Sequence, residues 1–314
     1  MSSSLAPSAT EAIERLHHDG YAVIEDVLDG ATVRDLRARV ERLLRQEREH
    51  PFDPGADDAE GTPAEIALAH FDNIWQLSDD ERQRVARRIS HRQQEEFDTP
   101  WPVPAPEVCI SFTHIPTLFD DGRSQRIFNL INKDLAFAGL VEHPTLLDIM
   151  DAELGRDAVV LDMSVNHVGA HTDSGGWHVD SPITQVPEPL PSFTLSIQSA
   201  WMLDDFTVAN GATHVVRGSH LTLRKPPTGR DRQEGEVVLE GAAGSVALWL
   251  SQTWHRHGAN VTDDPRCGVI IQYGRSWVKP FVDLRTPMTA EQARQLSPRL
   301  RYLMGCNASA PVRG

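Results

Sequence analysis

The spacing of apolar residues changes near Leu154-Gly155, and this change restricts the fold more than any other feature of the chain. Before it, apolar side chains recur every three or four positions; Leu36, Val40, Leu43 and Leu44 form one helical stripe. After it come short segments rich in β-branched and apolar residues at 159–165, 192–203, 213–216, 236–239, 246–250 and 268–273, separated by turn residues. Asn210-Gly211 reads as a hairpin turn between two of them. A parallel α/β sheet needs a helical crossover between strands, so this pattern points instead to a sandwich or jelly roll. The expected class is mainly β with flanking helices.

Four stretches follow from the same reading. Residues 1–10 are small and polar, expected to be disordered. Residues 11–155 are helix-rich: Ile13 and Leu16 mark a helix that Gly20 ends, Tyr21 to Ile24 form a strand, and helical spacing returns at 74–94 and from Arg126 to Met150. Within this part, 47–63 is acidic and rich in Pro and Gly, a loop or a flap over a site, and Thr99-Pro100-Trp101-Pro102 breaks the helical pattern. Residues 156–280 hold the strands, and 281–314 a helix from Met288 to Leu303 and a tail. There is no internal repeat and no clear boundary, so one domain is expected across 1–314.

Composition excludes several roles. A formal charge of −15 and the lack of a basic run argue against nucleic acid, whose binding depends on clustered Lys and Arg. Cys109, Cys267 and Cys306 are odd in number and contain no Cys-x-x-Cys, so they read as reduced packing residues. No apolar run approaches the roughly 18 residues of a membrane span. The start lacks a basic segment followed by an apolar one, so a cytoplasmic location is expected, with no membrane partner.

Chemistry concentrates in Trp177-His178-Val179-Asp180-Ser181-Pro182 and Trp254-His255-Arg256-His257-Gly258-Ala259-Asn260. In an extended segment, side chains two apart share a face, so His178 and Asp180 point together. His171-Thr172-Asp173 has the same spacing but lies among Gly169, Ser174 and Gly175, a loop composition. The Gly175-Gly176 turn, by contrast, launches the second copy as a short strand that Pro182 stops. A further imidazole, from His255 or His257, completes two histidines and one carboxylate. That set suits non-haem Fe(II) and leaves three adjacent coordination positions open.

These residues, with Ala200-Trp201-Met202-Leu203-Asp204-Asp205 leading to Asn210-Gly211, Arg217-Gly218-Ser219-His220, and the run from His255 to Arg266, resemble the phytanoyl-CoA dioxygenase family of Fe(II)/2-oxoglutarate oxygenases. The opening Asp19-Gly20-Tyr21-Ala22-Val23-Ile24 is similar as well. The resemblance implies a double-stranded β-helix, the cupin-like jelly roll. It also implies Fe(II), 2-oxoglutarate and O2 as cofactor and cosubstrates. The family's second metal histidine lies five residues before an Asn and eleven before an Arg, which selects His255 by its distance from Asn260 and Arg266. Arg266 then stands where the family pairs an Arg with the distal carboxylate of 2-oxoglutarate, a two-bond fork that Lys cannot copy. Trp201 matches a position lining the cosubstrate pocket, and Gln198 is a second candidate; three residues apart on a strand, they should face opposite ways.

Two departures stand out. Arg217 replaces the family's Pro before Gly-Ser-His, and His257 takes a position that is commonly small. Asp180 is a carboxylate where related halogenases carry a small residue, which implies hydroxylation, desaturation or cyclisation instead. Trp177, Trp254, Trp277 and His257 flank the ligand positions and are candidates for lining a substrate pocket, with a small-molecule metabolite as the partner and a monomer or homodimer as the assembly. The rival readings are a metal-free or zinc-bound cupin-like binding protein, and a metal-assisted hydrolase.

Overall fold

The computed structural model describes residues 7–49, 117–120, 122–181, 183–280, 282, 284 and 290–305. Helix α1 (Pro7–Asp19) runs into strand β1 (Tyr21–Ile24) through Gly20, whose φ of 87° suits glycine. A Cβ there would lie 2.6 Å from both His220 Nδ1 and Thr253 Oγ1, so a side chain has no room. Asp29 starts helix α2 (Gly30–Glu49) by accepting the N–H groups of Ala31 and Thr32 at 2.8 Å each. The Leu36, Val40, Leu43 and Leu44 stripe of α2 is buried.

Strands β2 (Thr117–Phe119), β3 (Ser124–Phe128), β4 (Val159–Val168), β5 (Ser196–Met202), β8 (Val246–Leu250) and β10 (Arg266–Gly274) join β1 in an antiparallel sheet ordered β1-β8-β5-β10-β4-β3-β2. A smaller antiparallel sheet, β7-β6-β9, is made of β6 (Thr213–Val216), β7 (Glu236–Val238) and β9 (His255–His257). The two sheets form the jelly roll. The side chains of the large sheet alternate between two environments. Trp201, Met163, Val165, Val269 and Ile271 pack with Leu16, Leu36 and Val40 and with residues of α3 (Leu130–Lys133), α4 (Ala138–Val141) and α5 (Pro144–Glu153). Ala200, Met202, Ala247 and Trp249 turn the other way and meet Phe206 and Val215 between the sheets. The helical layer buries the larger cluster; each large side chain in it contributes about 1.5–3 kcal/mol by leaving water. The inner face carries a smaller apolar cluster and, beside it, buried polar groups such as Gln198, Gln272 and Arg266.

Several expectations change. Helix α1 begins at Pro7, inside the stretch expected to be disordered, and α2 continues to Glu49, past the start of the expected loop. Arg126 to Phe128 belong to β3 rather than a helix, because their apolar residues pair with β4 instead of forming a stripe. Asn210-Gly211 is a tight turn, Asn210 Oδ1 accepting Thr207 N–H at 2.9 Å, but it closes no hairpin: β5 and β6 lie in different sheets. The C-terminal helix is two, α6 (Ala290–Gln295) and α7 (Pro298–Leu303), with Ser297 capping the second ahead of Pro298. Residues 51–63, 74–94 and 99–103, Cys109 and Cys306 lie outside the described residues. Cys267 is a free, fully buried thiol, pushed up to about 12 by burial, as an inert packing residue should be. No helix among the described residues is long and apolar enough to cross a membrane.

Candidate metal centre

His178 and His255 face each other across an antiparallel bridge: each backbone N–H donates to the other's carbonyl at 3.0 Å. Directly opposed residues place their side chains on one side, and the two rings stand 4.2 Å apart between centroids. Asp180, two residues on from His178, is fixed by its own N–H donating to Ser251 O at 3.0 Å. The extended segment containing His178 and Asp180 is therefore a stub rather than a full strand, but the expected period of two holds. Potential ligand atoms of His178, Asp180 and His255 all lie within 4.8 Å of one another.

The hydrogen bonds settle which ring nitrogen is free. His178 Nδ1 lies 2.9 Å from Gly176 O, and His255 Nδ1 lies 2.9 Å from Thr253 O. A carbonyl only accepts, so each Nδ1 carries a proton and each Nε2 is the atom turned to the centre, where a metal would take the place of the proton that Asp180 favours on His255. Asp180 Oδ1 is 3.3 Å from His255 Nε2, while Oδ2 accepts the indole N–H of Trp249 at 3.3 Å. Gln198 also bonds to Asp180. Burial alone would raise the carboxyl, yet His255 outweighs it and holds Asp180 below its ordinary value. Burial opposes charge on His255 too, and Asp180 overrides it upward. His178, at the open edge of the site, is lowered to about 4 by desolvation and by the neighbouring His255. Two imidazoles and a carboxylate form a fitting donor set for a divalent metal, whose charge would replace that of the His255 proton in offsetting Asp180.

Arg266 begins β10 on the same inner face, two-residue steps from Gly268, Ile270 and Gln272. It is 3 % exposed, donates from Nε to Asn210 O at 3.2 Å and from Nη2 to Gly211 O at 2.9 Å, and lies 4.0 Å over the Phe206 ring. No carboxylate among the described residues comes within 4.0 Å. Burial holds its pKa down to about 10, against the weaker opposite pull of Cys267 and Asp204. A buried guanidinium lacking a counter-charge is costly unless an anion completes it. Tight space keeps it in place: a Cβ at Gly268 would lie 2.7 Å from Phe206 Cζ.

The remaining expected site residues divide. Gln198 is buried on the inner face. His257 shares the β9 face of His255, and its ring lies against Gly175, where a Cβ would be 2.6 Å from Cδ2. Trp201 faces outward: it is fully buried among the helices, edge-on to His143 at 5.4 Å, and makes no contact with the triad. Its expected place at the cosubstrate is therefore corrected; its strand parity sends it the other way. Trp177 and Trp254 each precede a ligand by one residue and point away from it. Trp177 donates to Asp231 O at 2.7 Å beneath Arg256, and Trp254 to Arg224 O at 2.7 Å. Trp277 is 66 % exposed, beyond the end of β10. Trp249 went unnoticed in the sequence because nothing there says that β8 lies beside β5. A cavity of about 310 Å³ lined by Arg45, Arg48, Arg123 and His167 among others shares no residue with the triad.

A jelly roll with two histidines and an aspartate converging between its sheets defines a cupin-like protein built around one metal position. The chain belongs to the phytanoyl-CoA dioxygenase (PhyH) family, whose model matches residues 16–268. It is 26% identical to Dioxygenase af480 of Aspergillus fumigatus over 193 residues, 61% of this chain and 62% of that protein. It is 23% identical to the ectoine dioxygenase of Nocardia farcinica over 188 residues, 51% of this chain and 63% of that protein. These alignments span less than two thirds of either relative. Among solved structures, EctD from S. alaskensis superposes with a TM-score of 0.54 at 20% identity, over 90% of this chain and 84% of that one. The α-ketoglutarate-dependent carbocyclase SnoK from nogalamycin biosynthesis gives 0.53 at 19%, over 94% and 95%. Likeness at this identity speaks for the fold.

Proposed function

We propose that the protein is an Fe(II)- and 2-oxoglutarate-dependent oxygenase that hydroxylates, desaturates or cyclises a small-molecule metabolite at an unactivated C–H bond. One observation carries the reading: the Nε2 atoms of His178 and His255 and the carboxylate of Asp180 converge on the inner face where Arg266 is buried with no carboxylate among the described residues in ion-pair contact. His178, Asp180 and His255 would hold the iron. Arg266 would receive the distal carboxylate of 2-oxoglutarate through its planar fork. When bound, these groups supply the oxidising chemistry: O2 and 2-oxoglutarate become succinate and CO2 as the substrate C–H is oxidised.

The chain's own contribution is placement. Gly176 and Thr253 carbonyls fix both imidazoles, Trp249 and Gln198 turn the Asp180 carboxylate, and the apolar wall of Ala200, Met202, Ala247 and Phe206 limits water. A carboxylate at position 180 fills the place a halide would need, which supports hydroxylation, desaturation or cyclisation. The printed names of the relatives and structural neighbours, an ectoine dioxygenase and a carbocyclase among them, support a small-molecule substrate.

The test is substrate-triggered succinate release by the wild type and by His255→Ala. Turnover in the wild type and none in the variant is expected; equal turnover would sink the assignment. Anaerobic addition of Fe(II) and 2-oxoglutarate should also give a weak visible charge-transfer band. A zinc-bound binding protein gives none.

A further inference from the structure

We propose that the inner face carries a second polar subsite, a row formed by Gln198, Gln272 and Asp162, that receives N–H or O–H donor groups of the substrate. The inference rests on the oxygenase reading and deepens it.

The row is set by strand register. Gln272 of β10 stands opposite Gln198 of β5 on one side and Asp162 of β4 on the other. Opposed residues on neighbouring strands share a face at about 4.5–5.5 Å between Cβ atoms. That face is the one holding the triad, because Gln272 Nε2 donates at 2.8 Å to the carbonyl of Ser181, the residue after Asp180. At Asp162 the register of β4 shifts: Gln272 pairs with Asp162 and Tyr273 with Val160, leaving Leu161 as an extra residue. Such a bulge re-aims the side chains beside it.

All three residues are more than nine-tenths buried: Gln198 is 7 %, Gln272 0 % and Asp162 5 % exposed. One of their four acceptor oxygens is accounted for, together with the amide nitrogen of Gln272. Gln272 Nε2 serves Ser181 O, and Asp162 Oδ2 accepts Arg126 Nη2 at 3.1 Å and Ser164 Oγ at 3.0 Å. What remains is Gln198 Oε1, Gln272 Oε1 and Asp162 Oδ1, each buried and each without a donor. The carbonyl of Ser181, which only accepts, fixes the amide orientation of Gln272, so flipping it does not remove its deficit. Buried acceptors are seldom left unmet, and three in one row call for a common explanation.

The cosubstrates cannot supply it. 2-Oxoglutarate is an acceptor-only dianion near neutral pH, and dioxygen has no N–H or O–H. Arg266, moreover, is the first residue of β10 and Gln272 the seventh, so an anion held by Arg266 lies toward the other end of the strand. The substrate is the guest of this face that can carry such donors, with solvent as the alternative that the experiment separates. Arg126 already offsets the charge of Asp162 through Oδ2, leaving Oδ1 to accept from either an ammonium or a hydroxyl.

The experiment uses the anaerobic protein loaded with Fe(II) and 2-oxoglutarate and three probes: butane-1,4-diol, its donor-free isomer 1,2-dimethoxyethane, and n-butylammonium. Binding is followed by ligand-observed NMR in the wild type and in Asp162→Asn, which keeps an oxygen toward Arg126 and turns the free acceptor into a donor. The wild type should favour the diol, the ammonium ion or both over the ether by about tenfold or more, and Asp162→Asn should abolish that preference. Preference for diol or for ammonium tells which donor the row is built for. Equal binding of the ether, or binding of none of the three, means the row holds solvent only and overturns the proposal even if the variant fails to fold. Retained preference in a folded Asp162→Asn overturns it as well. Loss of the visible band with donor preference intact strikes the oxygenase reading and leaves the subsite standing.

Discussion

The indole N–H of Trp249 reaches Asp180 Oδ2 at 3.3 Å, while the other oxygen of the same carboxylate stands 3.3 Å from His255 Nε2. One oxygen is thus occupied from behind and the other presented to the centre. Trp249→Phe removes the donor and keeps an aromatic ring, though a smaller one than the indole that packs 5.3 Å from the ring of His255. Fe(II) affinity, measured anaerobically, is expected to fall about 10–100-fold with the fold retained by circular dichroism. Unchanged affinity would show that Trp249 merely packs.

Arg266→Lys preserves the charge and loses the two-pronged geometry. The apparent KM for 2-oxoglutarate should rise roughly 10–100-fold, the worth of about 1.5–3 kcal/mol, with iron affinity unaltered. A loss of iron instead of cosubstrate would place Arg266 in a structural role.

Gly268→Ala approaches the same arginine from beneath. Its Cβ would lie 2.7 Å from Phe206 Cζ, so Phe206, the ring under the guanidinium, has to move. A higher KM for 2-oxoglutarate and a lower Tm are expected together, overpacking of this kind costing about 1–3 kcal/mol. If neither changes, the ring gives way freely.

Glu236 ties the small sheet together, bonding His214 of β6 and Arg256 of β9. Burial opposes its charge, but Arg256 and His214 prevail and hold it below its ordinary 4.5. A depressed carboxyl adds stability that is present above that ordinary value and fades as pH falls through the folded one. Acid should therefore loosen β9, the strand bearing His255, before the large sheet. Hydrogen exchange of β9 amides between pH 6 and about pH 3 checks this, and Glu236→Gln should flatten the acid dependence. Identical pH profiles in both proteins would exclude Glu236 as the cause.

Much of the centre was legible in the sequence because a period of two is a strong constraint. His178 and Asp180 had to share a face wherever the segment went. The same rule could not separate His255 from His257, since both lie on one face of β9; the resemblance to the family, whose metal histidine keeps this spacing to an Asn and an Arg, made that choice. It also explains the errors. Trp177 and Trp254 are adjacent to ligands in sequence and therefore point away from them, and Trp201 follows the parity opposite to Gln198. Trp277 lies past the strand that would have oriented it. Trp249 and the Arg126–Asp162 pair depend on which strands become neighbours, β8 beside β5 and β3 beside β4, and no local pattern encodes such long-range order. Reading Arg126 as helical hid its partner across the sheet.

Trp177 and Trp254 hold the backbone of Asp231 and Arg224, and Trp177 N–H holds Gly229 O at 3.0 Å, so the stretch between β6 and β7 hangs from the two segments that present the histidines. Insertions or substitutions in that stretch would tug on the ligand backbones through the tryptophans. For the proposed oxygenase, exchanging this loop would then disturb metal retention along with selectivity, and grafts that preserve all three carbonyl anchors should be the ones that keep a metal.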